Sequence, residues 1–246
     1  MIRLQHDGPI AILLLDRPDK RNALTPAMFS DLRAELHGIL WGPARALLLA
    51  GNGPVFCGGF DLKLCLDRPG TLESLLRELA ALCSALRAFP KPVVIAAHGG
   101  AIAGGCALLA AADLVVADAE AKIGYPVTPL GISPAISAAS LRLAVGDGRC
   151  RERQLDPSVI SGREAARIGL VHEVVATPDL VRPRALELAR MLAEKPPDAY
   201  RATKEWLCEI DDRTAATGAT ERALAASLSI VDQPEQQQRL ATLFTR

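Results

Sequence analysis

Aromatic residues make up only 4% of this chain. Its core must therefore be built from Ala, Leu, Val and Ile, which suit close packing of helices on a sheet. An excess of one charge is also missing, since 28 Lys and Arg balance 28 Asp and Glu. A neutral chain gives no electrostatic reason to expect nucleic acid or an anionic membrane as a partner. No apolar run reaches membrane-spanning length, because Asp113, Asp118 and Glu120 interrupt the longest candidate, which starts at Val93. The N-terminus has no basic segment followed by an apolar run and a cleavage site, so a cytoplasmic location is expected. The six cysteines (Cys57, Cys65, Cys83, Cys106, Cys150, Cys208) form no C-x-x-C pair. None stands at metal-ligand spacing from His6, His37, His98 or His172. Reduced, mostly buried thiols and no metal site are expected. There is no internal repeat, linker or low-complexity tract.

Half of the 246 residues are hydrophobic, enough for one large α/β domain. Pro9 to Leu15 reads as a strand. Thr25 is a helix N-cap with Pro26 at the first helical position, and Met28, Leu32, Leu36, Ile39 and Leu40 follow at helical spacing. Ala44 to Ala50 predicts a second strand, Leu72 to Ala88 a helix stopped by Pro90 and Pro92, and Val93 to Ala97 a third strand. A helix over Cys106 to Ala112 and a strand over Leu114 to Ala117 come next. Ser161 opens another helix, Val171 to Val175 is another strand, and the chain is helical from Pro178 almost to its end. This alternation predicts a layered α/β core over 1–190, with a helical region over 191–246 packed on the core or on a neighbouring subunit.

Two glycine-rich loops carry the chemical interest. Phe56-Cys-Gly-Gly-Phe-Asp-Leu follows the second strand, and Gly99-Gly-Ala-Ile-Ala-Gly-Gly-Cys links the third strand to a helix. Glycine lets backbone N–H groups approach a ligand closely, and a helix start leaves donors unpaired. Two such donors from separate loops would hold an enolate or tetrahedral oxyanion. The same glycines would equally serve tight turns and nothing more. They do not fit the dinucleotide pattern G-x-G-x-x-G. A nucleophile elbow at Ser133 is disfavoured, because Pro134 has no N–H to complete its oxyanion hole.

Several segments resemble the crotonase (enoyl-CoA hydratase/isomerase) superfamily. They are Arg17-Pro-Asp-Lys-Arg-Asn-Ala-Leu, the first loop, Lys91-Pro-Val-Val-Ile-Ala-Ala-His with the second loop, Ala112-Asp-Leu-Val-Val-Ala, and Ile160-Ser-Gly-Arg-Glu-Ala-Ala-Arg-Ile-Gly-Leu-Val-His-Glu-Val-Val. Pro196 to Lys204 is similar to the family's C-terminal helix. The resemblance runs in order along nearly the whole chain. It implies an α/β spiral of strand-strand-helix turns with a helical C-terminal region that mediates a homotrimer or a dimer of trimers. The implied ligand is an acyl-CoA, with coenzyme A as part of the substrate and no separate cofactor. Oxyanion donors fall on Gly104 and on Gly58, with Phe60 as the alternative in the first loop. Lys20, Arg21 and Ala23 match a turn that runs along CoA, Phe60, Asp61 and Leu62 flank the substrate, and Lys204 would offer charge to a CoA phosphate.

The chain departs from that family where its hydratases hold two glutamates. Those positions are Ala107 and Val127 here, and a further carboxylate position used by isomerases falls near Ala135. None of these side chains transfers a proton, and a positioned acid or base contributes ~10² to ~10⁴ in rate. Tyr125, two residues before Val127, is a candidate substitute acid. Asp61 is a candidate base, though at this position it more often braces the loop. Ser133, Ser137 and Thr128 are polar near the same wall, His98 reads as a turn residue, and Glu73 and Glu78 as a solvated helix face. Gly131-Ile-Ser-Pro-Ala is similar to members that act on branched or carboxylated acyl-CoAs, such as methylglutaconyl-CoA hydratases. Three readings follow. A buried Tyr125 hydroxyl in an acyl pocket would favour a lyase or isomerase with a substitute acid. A small polar pocket able to take a second carboxylate would favour decarboxylation of a malonyl-type CoA. A blocked pocket, or one with no titratable group within reach, would favour a silent acyl-CoA binder.

Overall fold

Gly8, at φ 53°, turns the chain between β1 (Ile2–Asp7) and β2 (Ile10–Leu15), the only antiparallel pair of the main sheet. The computed structural model describes residues 1–214 and 219–244. After β2 come α1 (Pro26–Trp41), β3 (Ala46–Gly51), α2 (Leu62–Asp67), α3 (Thr71–Arg87), β4 (Val93–Ala97), β5 (Gly100–Ile102) and α4 (Gly104–Leu109). Then follow β6 (Leu114–Asp118), β7 (Lys122–Gly124), α5 (Ala138–Leu155), β8 (Val159–Ile160), α6 (Gly162–Arg167) and β9 (Glu173–Val175). The C-terminal part is α7 (Pro178–Ala193), α8 (Pro197–Thr214), α9 (Ala219–Leu228) and α10 (Pro234–Thr242). The large sheet runs β1-β2-β3-β4-β6-β9, and β5-β7-β8 form a smaller one.

Strands β2, β3 and β4 are buried along their whole length, as parallel strands covered by helices on both faces must be. Alternate side chains go to opposite cores. Leu13, Leu47, Leu49 and Ile95 pack toward α1 and α3, while Ile12, Leu14, Leu48 and Val94 pack toward α7 through Val181, Ala185 and Ala189. Fully burying one such aliphatic side chain stabilises the fold by about 1.5–3 kcal/mol. At the start of α1 the Thr25 hydroxyl accepts the Met28 N–H at 3.2 Å, as a cap at that position should.

The elements read from the sequence are present, with shifted ends. The helix expected from Cys106 begins two residues earlier, at Gly104, and this sets the geometry of the second loop. Strand β1 escaped the reading because its burial alternates weakly between half-buried and exposed. The expected division after residue 190 falls inside α7, a helix that covers one face of the main sheet. Helix α9 packs on α3 and on the turn Ala135–Ser137, and α10 packs on α2 and on the turn Thr128–Leu130. Among the described residues no helix is long and apolar enough to cross a membrane, and no cluster of potential metal ligands occurs.

Candidate active site

Strands β3 and β4 are parallel neighbours, so the loops that follow them leave the sheet at the same end. The loops are then stitched together: the Cys57 N–H donates to Gly100 O at 3.1 Å and the Ile102 N–H to Cys57 O at 2.9 Å. Close approach demands glycine here. A Cβ on Gly105 would lie 2.7 Å from Cys57 O, and Gly59 adopts φ 95°. Ala103, at φ 50°, takes a conformation that side chains other than glycine seldom adopt, immediately before the start of α4.

The turn Arg17–Ala23 is fixed beneath these loops by Asn22. Its side chain is fully buried and its Nδ2 donates to Asn52 O at 2.8 Å, Val55 O at 2.9 Å and Phe56 O at 3.1 Å. Its Oδ1 accepts the Arg17 N–H at 2.9 Å. The sequence reading gave Asn22 no role, because three of its four partners lie in a segment some thirty residues away.

The same turn takes up one N–H group of the first loop. The Gly58 N–H donates to Arg21 O at 2.8 Å, so it is occupied within the fold, and the expectation of Gly58 as an oxyanion donor is corrected. Phe60 pairs with Leu24 only through the flanking groups, Leu24 N–H to Gly59 O at 2.7 Å and Asp61 N–H to Leu24 O at 3.0 Å. The Phe60 N–H itself has no acceptor among the described residues. Gly104 opens α4, where an N–H lacks an intrahelical partner, and it too has no acceptor among the described residues. The Phe60 ring lies where a Gly104 side chain would be, 3.2 Å from the position of a Cβ.

Phe60 and Gly104 line a cavity of about 150 Å³. Ala107 and Val127, at the two positions where a carboxylate was sought, are both in its wall. Leu76 and Leu79 of α3 face it as well. Among the described residues no Asp, Glu, His, Lys, Arg or Cys contributes to the lining, and the only ionisable group there is Tyr125. Tyr125 is 2% exposed, and its hydroxyl is buried without a hydrogen-bond partner. Burial pushes its phenol well above the ordinary value, and the neighbouring Cys106 adds to the effect. Ser137 also lines the cavity, but its Oγ donates to Pro134 O and accepts from Gln154 Nε2, both at 2.9 Å. Ser133 Oγ accepts the Ala135 N–H at 3.3 Å. The nearby thiols Cys57, Cys83 and Cys106 are pushed up to about 12 by burial, which leaves them inert as nucleophiles.

The other candidates lie elsewhere. Thr128 belongs to a short helical turn and does not line the cavity. His98 donates from Nε2 to Gly53 O at 2.9 Å, Glu73 pairs with Arg77 at 2.8 Å, and Glu78 pairs with Arg33 at 2.7 Å.

A wider groove of about 580 Å³ continues from this cavity past Gly58, Phe60 and Leu62. Lys20, Arg21, Ala23 and Asp61 line it. Neither Lys20 nor Arg21 has an ion-pair partner among the described residues, whereas Lys63 on the same rim pairs with Asp67 at 3.1 Å. Asp61 is a structural group. It caps α2 by accepting the Leu64 N–H at 3.2 Å and pairs with Arg17 at 2.8 Å. Burial raises its carboxyl, but these two interactions outweigh that and hold it below the usual carboxylate range.

Lys204 stands apart from both spaces. It is buried, and its Nζ meets Asp113 Oδ2 at 2.6 Å, where the Val93 N–H (2.7 Å) and the Tyr200 hydroxyl (3.2 Å) also donate. The expectation that Lys204 offers its charge to a ligand phosphate is corrected: within this chain it ties α8 to the ends of β4 and β6.

The sequence model described as "Enoyl-CoA hydratase/isomerase" matches residues 5–239. The chain is 34% identical to a Thermus thermophilus protein provisionally named an enoyl-CoA hydratase, over 89% of this chain and 88% of that one. It is 32% identical to the 2,3-dehydroadipyl-CoA hydratase of Escherichia coli K12, over 91% and 88%. Among solved structures, an enoyl-CoA hydratase/isomerase from Xanthobacter autotrophicus Py2 superposes with a TM-score of 0.90 at 28% identity, covering 98% of this chain and 91% of that one.

Proposed function

Since the chain belongs to the enoyl-CoA hydratase/isomerase family, we propose that it binds a short acyl-CoA and stabilises the thioester enolate on the N–H groups of Phe60 and Gly104, without the carboxylate pair that hydration requires. The observation that carries this reading is the cavity itself: among the described residues, two backbone donors without acceptors face a lining with no carboxylate, histidine or lysine. A single oxyanion donor contributes ~10² to ~10³ in rate. The missing acid and base would have added ~10² to ~10⁴ for each positioned group.

Tyr125 is the remaining proton donor. A phenol whose value is raised holds its proton at neutral pH, so it donates and does not act as a base. The reading of an enzyme with a substitute acid therefore stands ahead of the other two. A malonyl-type decarboxylation loses ground because, among the described residues, no cation lines the cavity to receive a second carboxylate. The space is open rather than blocked, which also weighs against a silent binder. Lys20 and Arg21, with Ala23 and Leu62 beside them, would hold the phosphates of CoA in the wider groove. Coenzyme A enters as part of the substrate, and no separate cofactor is invoked.

Six free cysteines are in keeping with a reducing, cytoplasmic setting. Trp206, Leu207 and Ile210 are exposed together on α8, an apolar surface that a trimer or a dimer of trimers would cover.

The test is calorimetric binding of crotonyl-CoA, with loss of the enoyl-thioester absorbance followed on the same sample. Binding without rapid hydration is expected. Rapid hydration would refute the inference drawn from Ala107 and Val127, and absence of binding would refute the acyl-CoA reading.

A further inference from the structure

Tyr125 places a buried hydroxyl with no partner in the wall of an otherwise apolar cavity. Such a group is costly to leave unmade, and native folds rarely leave one without a purpose. Its polar neighbours are Cys106 and Ser137, close enough to act on the phenol, but neither makes a hydrogen bond of ordinary geometry with it. Ser137 already donates to Pro134 O and accepts from Gln154, so it has no proton to offer a ligand. Tyr125 is thus the buried donor left over once the contacts within the fold are made.

A further property of the cavity restricts what can meet it. Among the described residues its lining carries no charge of either sign. A carboxylate brought here would leave water with one or two neutral donors to compensate it, which costs much more than bringing in a carbonyl or hydroxyl oxygen.

We propose that the acyl group selected by this cavity is uncharged and bears a hydrogen-bond-accepting oxygen, and that the Tyr125 hydroxyl is the residue that reads that oxygen. The proposal rests on the acyl-CoA reading above and adds a substrate class to it: thioesters carrying a hydroxyl or oxo group on the chain, in preference to plain alkanoyl or dicarboxylic ones. Tyr125 is then a specificity residue. It makes an acceptor-bearing chain complete a hydrogen bond that an alkyl chain leaves unmade.

The experiment compares butyryl-CoA, 3-hydroxybutyryl-CoA, acetoacetyl-CoA and succinyl-CoA by calorimetry on the full chain and on Tyr125→Phe, with thermal melting of both proteins. On the unaltered chain, at least one of the two oxygen-bearing neutral thioesters is expected to bind about 5- to 30-fold tighter than butyryl-CoA, the affinity equivalent of satisfying a buried hydroxyl. Succinyl-CoA should bind more weakly than butyryl-CoA. In Tyr125→Phe the preference should vanish, with butyryl-CoA affinity and the melting temperature maintained or raised. Equal affinities on the unaltered chain, a preference that survives in Tyr125→Phe, or succinyl-CoA binding tightest would each overturn the proposal while leaving the acyl-CoA reading intact. A hydroxyl satisfied only by a resident water would show as an unchanged preference and count against it. Failure of all four thioesters to bind would refute the underlying reading, and the proposal with it.

Discussion

Replacing Lys204 with methionine separates two roles for this residue, because the structure and the sequence reading predict opposite results. The methionine keeps most of the buried aliphatic stem and removes the ammonium. Asp113 is then left with the Val93 N–H and the Tyr200 hydroxyl as its remaining donors. Breaking a fully buried ion pair by removing one partner costs about 3–5 kcal/mol. The Lys204 side chain is 9% exposed, but that of Asp113 is 22% exposed, so water relieves part of the loss and about 2–3 kcal/mol is expected. In a chain of this size each 1 kcal/mol moves the melting temperature by about 2–4 °C, so the shift should be about 5–10 °C downward. Adding Asp113→Asn to Lys204→Met should recover part of it, since the unpaired charge is gone. Thermal melting reads the stability, and calorimetry with acetyl-CoA at two salt concentrations reads the ligand contact, which should change less than twofold. An unchanged melting temperature, together with tenfold weaker binding and a shallower salt dependence, would sink the structural assignment and restore Lys204 to the ligand.

Asn22→Ala should destabilise the fold by about 3 kcal/mol, since it removes two amide protons shared among three carbonyls and the acceptor of the Arg17 N–H at ~1 kcal/mol for each of these three groups, and should weaken acyl-CoA binding because the Arg17–Ala23 turn loses its anchor; chemical denaturation and calorimetry measure the two effects. Lys20→Ala with Arg21→Ala should weaken acyl-CoA binding about tenfold or more and flatten its salt dependence, while leaving the melting temperature within about 2 °C; retained affinity would remove the wider groove from the binding site. Val127→Glu restores one carboxylate at the cost of only two extra non-hydrogen atoms, and hydration of crotonyl-CoA should rise by ~10² or more; a variant that binds but gains nothing would show that Val127 is misplaced for this chemistry. Asp61 has a folded carboxyl value below the ordinary one, so the stability it lends is fully present above the ordinary carboxylate range and is lost as pH falls through the folded value. Acid titration of Asp61→Asn should therefore lack that part of the unfolding transition.

Much of the fold could be read from local pattern. The unbroken apolar runs of β2, β3 and β4 identified a sheet covered on both faces, and Thr25-Pro26 marked the start of α1 within one residue. What local pattern missed were elements whose identity depends on partners. Strand β1 is half exposed, the three-residue strands β5 and β7 exist by pairing with one another, and α5 accommodates a break at Gly146, φ 77°. The site was legible to the same degree. Ala107 and Val127 were named as positions without a proton-transfer group, and they do meet in one cavity wall. Gly58 was chosen ahead of Phe60 because spacing cannot show which N–H is already taken by a carbonyl from another segment.

The sequence by itself determined the family, the order of strands and helices, and the identity of residues 107 and 127 as Ala and Val, because these are properties of residue type and order along the chain. Only the tertiary structure decided which polar groups are free. The Gly58 N–H turns to Arg21 O, Asp61 to Arg17 and Lys204 to Asp113, while the Phe60 N–H and the Tyr125 hydroxyl keep no partner among the described residues. The physical reason is that a hydrogen-bond donor has its role assigned by what lies within about 3 Å of it. For these residues the assigning groups come from distant parts of the chain, or from none.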